Sequence, residues 1–263
     1  MTKSVRIEHD GPALRIINDN PASRNALSAE YVEALTEAVE NAGADRSVAA
    51  VILSGAGRFF CSGGDLNILI RRREMDLAWR IDSIAILHRA ILAIRACPKP
   101  VIAAVEGGAA GAGASIALAC DLIVAARDAY FAVSYLRVGL TPDGGATAFL
   151  SEALPRQLVN EILMFGDKIP VSRLHALGAI NRICDAGAAE SEAQALAARL
   201  WRVGPSALGN AKALAVSARE NALEAQLDLE AQNMAEAQGG DEAAEGIAAF
   251  LDKRKPDFTR FRG

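Results

Sequence analysis

The stretch VIAAVEGGAAGAGASIALACDLIVA, Val101–Ala125, decides how this chain folds. Five apolar residues, Val101–Val105, suit a buried strand. The chain turns at Gly107-Gly108 and Gly111–Gly113, continues as a small-residue helix around Ser115–Leu118 and ends in a second apolar run, Leu122–Ala125. Strand, glycine turn, helix, strand points to an α/β architecture rather than to separate layers of sheet and helix. Glu106, Asp121 and four glycines interrupt the stretch and would be costly in a lipid-facing span, so it reads as buried core.

Working outward, the same order recurs. Val5–Ile7 and Leu14–Ile17 flank His9-Asp10-Gly11-Pro12 as a hairpin, and Ala49–Leu53 is a short buried strand. Between them Ser28 caps a helix over Ala29–Asn41, with Tyr31 at N3 and Gly43 as the stop. Leu77–Arg95 repeats the helical period through Ile81, Ile84, Leu87, Ile91 and Ile94, and Pro98 and Pro100 end it. From Glu190 onward the chain is Ala-rich and helical, broken at Gly204-Pro205 and Gly239-Gly240. The division is a core over 1–195 and a helical C-terminal part over 196–263.

Composition sets the outer limits. The 263 residues are 51 % hydrophobic and 23 % charged, with 28 Lys+Arg against 32 Asp+Glu. A formal charge of −4 argues against general affinity for nucleic acid, which needs clustered cations. Arg71-Arg72-Arg73 reads as a solvated helix face. Cys61, Cys97, Cys120 and Cys184 lack metal-ligand spacing, and Met1–Asp10 lacks a secretory pattern, so reduced thiols in the cytoplasm are expected, with no membrane partner. The three histidines are scattered along the sequence, and neither a phosphate-binding GxxxxGK[ST] loop nor a GxSxG elbow occurs, which leaves no metal or cofactor motif.

Two segments can carry chemistry. Phe59-Phe60-Cys61-Ser62-Gly63-Gly64-Asp65-Leu66 follows a strand and enters a helix, as does Gly107–Gly113. Glycines let backbone N–H groups approach a ligand, and a helix N-terminus adds positive charge; two such donors converging would hold a carbonyl oxygen that becomes an enolate. Both segments read equally well as tight turns whose glycines serve packing. Asp143, in Thr141-Pro142-Asp143-Gly144-Gly145, is a carboxylate in a turn that also suits an N-cap.

The chain resembles the crotonase (enoyl-CoA hydratase/isomerase) superfamily over nearly its whole length, through Ser23-Arg24-Asn25-Ala26-Leu27-Ser28, Phe60–Leu66, Pro98-Lys99-Pro100-Val101, Gly107–Asp121 and Gly139–Gly145. Within it the pattern is most similar to the 1,2-epoxyphenylacetyl-CoA isomerase and enoyl-CoA isomerase group, through Gly111–Ala114, Leu227–Glu230 and the Phe250–Phe258 ending. The resemblance implies a spiral of repeated ββα units and a C-terminal region that builds a homotrimer or a dimer of trimers. It also implies an acyl-CoA substrate, with coenzyme A entering as part of that substrate and not as a cofactor. Carried over by position, the oxyanion donors are the N–H groups of Gly64 and Ala112. Ser23, Arg24, Ala26, Cys61, Ser62, Gly63, Asp65, Leu66 and Gly111 lie along the CoA ester. Lys255 and Phe258 reach the nucleotide, although the basic ending Asp252–Arg262 also reads as a solvated tail.

Similar hydratases activate water with two glutamates, and the matching positions here are Ser115 and Tyr135, neither of which can act as a carboxylate base. Similar isomerases place their base at Asp143. The resemblance therefore implies an isomerase in which Asp143 takes a proton from the polarised ester and returns it to another carbon. Tyr135, Phe131 and Phe149 are candidate walls of an apolar pocket around it, although aromatic residues in such a chain more often serve the core. Hydratase chemistry is the first alternative and a non-catalytic acyl-CoA-binding protein another. An aryl-CoA dehalogenase-like enzyme is a third, since 4-chlorobenzoyl-CoA dehalogenase, another crotonase, has a His matching His88 and an Asp matching Asp143. His88 is a candidate proton relay on that ground, and a surface helix residue on sequence alone.

Overall fold

The computed structural model describes residues 4–262. In chain order the strands are β1 (Val5–Asp10), β2 (Ala13–Asn18), β3 (Ala50–Gly55), β4 (Val101–Val105), β5 (Gly108–Ala110), β6 (Leu122–Ala126), β7 (Tyr130–Ala132), β8 (Lys168–Pro170) and β9 (Arg182–Cys184). The helices are α1 (Ala29–Ala44), α2 (Leu66–Arg72), α3 (Leu77–Ala96), α4 (Ala112–Ala119), α5 (Ala146–Ala153), α6 (Arg156–Phe165), α7 (Val171–Ala176), α8 (Ala189–Leu200), α9 (Pro205–Ser217), α10 (Leu223–Gln238) and α11 (Asp241–Leu251).

The large sheet runs β1-β2-β3-β4-β6-β9, antiparallel only in the first hairpin, and the small sheet runs β5-β7-β8. Each complete turn of the chain lays one strand in the large sheet and one in the small sheet before a helix: β4, β5, α4, then β6, β7, α5. This is the expected ββα spiral. In the preceding turn the second strand shrinks to one bridge, Cys61 to Ala109.

Period-two alternation along the strands supplies two core layers. Val51, Leu53, Val101, Ala103 and Val105 face Leu35 and Val39 of α1 and Ile91 and Ile94 of α3, while Ile52, Ile102, Ala104 and Val124 face Ala193, Leu196 and Ala197 of α8. Position 195/196 thus falls inside α8, a continuous helix that belongs to the sheet packing.

Three local expectations need correction. The hairpin strands extend to Asp10 and from Ala13, leaving only Gly11-Pro12 as the turn. Gly43 does not stop α1; a Cβ there would stand 3.1 Å from Pro98 Cδ, so the glycine serves close approach. The helix breaks at Asp45, whose carboxylate accepts from Ser47 N at 2.8 Å. On α3 only the second half is buried: Leu87, Ala90, Ile91 and Ile94 enter the core, while Leu77, Trp79 and Ile81 are exposed. No described helix is long and apolar enough to cross a membrane.

Candidate active site

Three loops converge where the strands end. The Ser23–Leu27 loop lies against Cys61–Gly64: Ser62 N donates to Arg24 O at 3.0 Å, Ser62 Oγ to Ser23 O at 3.1 Å, and Leu27 N to Gly63 O at 2.8 Å. Buried Asn25 holds this loop in shape. Its amide donates to Ala56 O at 3.0 Å and its carbonyl oxygen accepts from Asn20 N. Arg24 and Asn25 both sit at positive φ, 54° and 57°, a conformation sustained only by such bonding. The Arg24 guanidinium is exposed and lies 6.0 Å from the Phe59 ring.

The Cys61–Gly64 loop is in turn joined to the next turn of the spiral. Ala110 N donates to Cys61 O at 2.9 Å, and a Cβ at Gly63 (φ +89°) would stand 2.7 Å from Ala110 O and 3.2 Å from Ala112 N. Only glycine lets the two loops touch there. A Cβ on Gly113 would meet Cys61 Sγ at 2.7 Å, which fixes the first turn of α4 against the same loop. Among the described residues neither Gly64 N nor Ala112 N donates to a protein acceptor. Two unsatisfied N–H groups on adjacent loops, one of them opening α4, suit an oxygen that gains negative charge.

The carboxylate arrives from the other side. Gly111 N bonds Ala132 O at 2.8 Å, tying the glycine turn to β7 and so to the 3₁₀ turn Ser134–Val138 that carries Tyr135. The Tyr135 ring reaches back so that its Cζ lies 3.9 Å from where a Gly111 Cβ would be. Its hydroxyl donates to Asp143 Oδ1 at 2.7 Å. Ser115, fully buried on α4, donates to Asp143 O at 2.9 Å, with its Oγ 3.4 Å from Tyr135 Oη. Burial first, and the Asp143 carboxylate second, push the Tyr135 phenol above its ordinary range, so it stays protonated and acts as a donor.

Other expected site residues take different places. Asp65 caps α2, its Oδ1 accepting from Asn67 N at 2.8 Å, and Leu66 is exposed on that helix. Cys61 is buried and its thiol is pushed up to about 12 by burial, which makes it packing and not a nucleophile. His88 is exposed on α3, without a side-chain hydrogen bond among the described residues; its neighbour Leu87 is the residue that touches the Gly144 turn. Phe131 and Phe149 are core residues, Phe149 packing beneath Gly145. Lys255 is exposed, and Phe258 packs on α11 at Gly246. Among the described residues no group of three His, Cys, Asp or Glu could hold a metal.

Two features escaped the sequence reading. The Tyr135–Asp143 bond joins a residue read as a wall to one read as a base. Leu69 of α2 lies 3.6 Å from where a Gly64 Cβ would be, so it packs against that glycine; its place in an apolar helix beside a double glycine is a signal that sequence offers only weakly.

Residues 13–261 match the family model described as enoyl-CoA hydratase/isomerase. The chain belongs to this family. A curated relative from Escherichia coli K12 named 1,2-epoxyphenylacetyl-CoA isomerase is 34 % identical, covering 92 % of each chain, and that organism's 2,3-dehydroadipyl-CoA hydratase is 33 % identical over 91 % of this chain and 92 % of its own. An enoyl-CoA hydratase of known structure from Polaromonas sp. JS666 superposes with a TM-score of 0.94 at 44 % identity, covering 96 % of this chain and 98 % of its own. As a member of the enoyl-CoA hydratase/isomerase family, the chain is an acyl-CoA-processing enzyme by descent, and its relatives carry both activities in their names.

Proposed function

We propose that this family member is an enoyl-CoA isomerase whose single acid/base group is Asp143. The carrying observation is the 2.7 Å bond from Tyr135 Oη to Asp143 Oδ1 beside two unsatisfied N–H groups. The thioester oxygen accepts from Gly64 N and Ala112 N, which lowers the energy of the enolate and so acidifies the neighbouring C–H. Asp143 removes that proton, the electron pair spreads over the dienolate, and the same carboxylic acid delivers the proton to the distal carbon. The double bond moves and no water enters. Ser115 and Tyr135 stand where a hydratase would need carboxylates, and both hydroxyls are engaged with Asp143 instead.

Water addition is the second reading, favoured by the hydratase names borne by the E. coli and Polaromonas relatives. Incubation in D₂O with matched 2-enoyl- and 3-enoyl-CoA esters separates the two by mass spectrometry. Double-bond migration without the mass of water supports the isomerase; formation of a 3-hydroxyacyl-CoA at comparable rate overturns it in favour of the hydratase.

Within the same proposal Arg24 faces the CoA phosphates. The exposed apolar residues of α10 and α11, among them Leu227, Met234, Ile247 and Phe250, pack between subunits, which would carry Lys255 and Phe258 toward a neighbour's nucleotide.

A further inference from the structure

We infer that Tyr135 is a positioning residue that fixes which oxygen of Asp143 carries the proton, so that the proton moves within the substrate and is not traded with solvent. This rests on the reading of Asp143 as the base. The Tyr135 hydroxyl has one hydrogen, and it points at Oδ1 across 2.7 Å. Oδ2 makes no hydrogen bond to the protein among the described residues. Ser115 holds the same residue by its main-chain carbonyl, so Asp143 is fixed at both backbone and side chain. Rotating the carboxyl group about its Cβ–Cγ bond must break the Tyr135 bond, and half a turn would carry a proton on Oδ2 to Tyr135 and away from the substrate.

The consequence is chemical. The C–H bond of the substrate breaks and an O–H bond forms at Oδ2, with the electron pair entering the dienolate. Oδ2 then gives up that same hydrogen to the distal carbon, and the carboxylate returns to its starting charge. A carboxyl group free to rotate would turn its proton away from the substrate and toward exchange. The half-buried setting of Asp143 and Tyr135 limits that exchange only while the carboxyl group is held.

The test uses 3-hexenoyl-CoA carrying deuterium at C2, turned over in ordinary water, with deuterium at C4 of the product read by mass spectrometry and NMR. The full-length protein should place measurable deuterium at C4. Tyr135→Phe, which keeps the ring, should fold, with a thermal midpoint lowered by no more than about 5 °C for the lost hydrogen bond. Its kcat should fall about 10- to 100-fold with KM within about threefold, the signature of a lost interaction that serves the reacting state. Its C4 deuterium should fall at least about threefold, a readout that loss of packing alone would not move. Unchanged retention in Tyr135→Phe overturns the inference whatever the rate, and so does wild-type protein that retains no label. Asp143→Asn separates the two readings: an inactive Asp143→Asn beside an unaltered Tyr135→Phe sinks only the role of Tyr135. Wild-type protein that leaves the probe unisomerised, or an active Asp143→Asn, removes the base and this inference together.

Discussion

Ser115 Oγ, buried on α4, donates to the main-chain oxygen of Asp143 at 2.9 Å. The bond joins the helix that opens at Ala112 to the turn that bears the carboxylate, so it ties one proposed donor to the proposed base. Ser115→Ala removes the shorter of the two hydrogen bonds that carbonyl accepts, the other coming from Ala146 N at 3.2 Å, and should destabilise the protein by about 1 kcal/mol. It should also slow isomerisation of 3-hexenoyl-CoA by about 3- to 10-fold at nearly constant KM, since misplacement of a base lowers kcat before it lowers binding. Parallel thermal melts and steady-state rates check both; a wild-type kcat would show that the turn holds Asp143 without help.

Gly63 is where the two loops that carry the proposed donors touch. At φ +89° an alanine is strained in any surroundings, and here its Cβ would also press on Ala110 O at 2.7 Å and on Ala112 N at 3.2 Å. Gly63→Ala should push the loops apart and cost about 10²- to 10³-fold in kcat, the usual scale for losing one oxyanion donor. Stability should fall by about 1–3 kcal/mol from the backbone strain. Activity retained above a tenth of wild type would mean that the N–H pair is not the electrophile.

What could be read from sequence was what is set locally. Val101–Val105 declared itself as a strand by an unbroken apolar run, and Ser28 as a cap by its place before Tyr31, whose N–H it accepts at 3.1 Å. The glycine turns and Asp143 were likewise visible, because conformation and chemistry there belong to single residues. Partners brought together by the spiral were not. Glu106 caps α8 through Gly187 N and Ala189 N, more than eighty positions away, and looks in sequence like an interruption of the apolar stretch Val101–Ala125. Arg262 seemed part of a frayed basic tail, yet it is buried and donates to the carbonyls of Leu200, Trp201 and Val203 at the end of α8. Tyr135 was legible as an aromatic near the site, but its grip on Asp143 depends on the chain doubling back through Gly139 at φ +72°.

Glu245 organises the C-terminal segment. Arg254 donates to it at 2.6 and 3.0 Å, Asp257 N at 2.8 Å, and Arg260 lies 3.5 Å away. The Arg254 hydrogen bonds, with that of Asp257 N, hold its carboxyl down to about 2. A depressed carboxyl contributes stability above its ordinary range and loses it as pH falls through the folded value. Hydrogen-exchange protection over residues 252–262, taken relative to the intrinsic rate at each pH, should therefore be high at neutral pH and fall as pH drops from about 4.5 toward about 2. Glu245→Gln should show the low protection already at neutral pH. Equal protection of this segment in both proteins at neutral pH would mean that Phe258 packing on Gly246 holds it unaided.

Lys212 on α9 lies 2.7 Å from Asp121 Oδ2, its side chain 7 % exposed and that of Asp121 19 %. Its ammonium also donates to Ile94 O and Lys99 O, while Asp121 Oδ2 accepts from Val101 N, so one cation pins the first C-terminal helix to the end of α3 and the start of β4. Burial pushes the Asp121 carboxyl up, and Lys212 pulls it back. Lys212→Met leaves that carboxylate buried without its counter-charge and should cost about 3–5 kcal/mol near neutral pH. The pH dependence then has a definite sign. With its counter-charge gone Asp121 binds a proton more tightly folded than unfolded, so the deficit should shrink on moving from about pH 8 to about pH 5. Adding Asp121→Asn should recover part of the loss, because the charge that needed pairing is gone. Denaturant melts of the wild type and both variants at the two pH values decide it: a deficit below about 1 kcal/mol, or one that grows on acidification, would show that α9 is held by Gly209 packing on Pro98 and not by this ion pair.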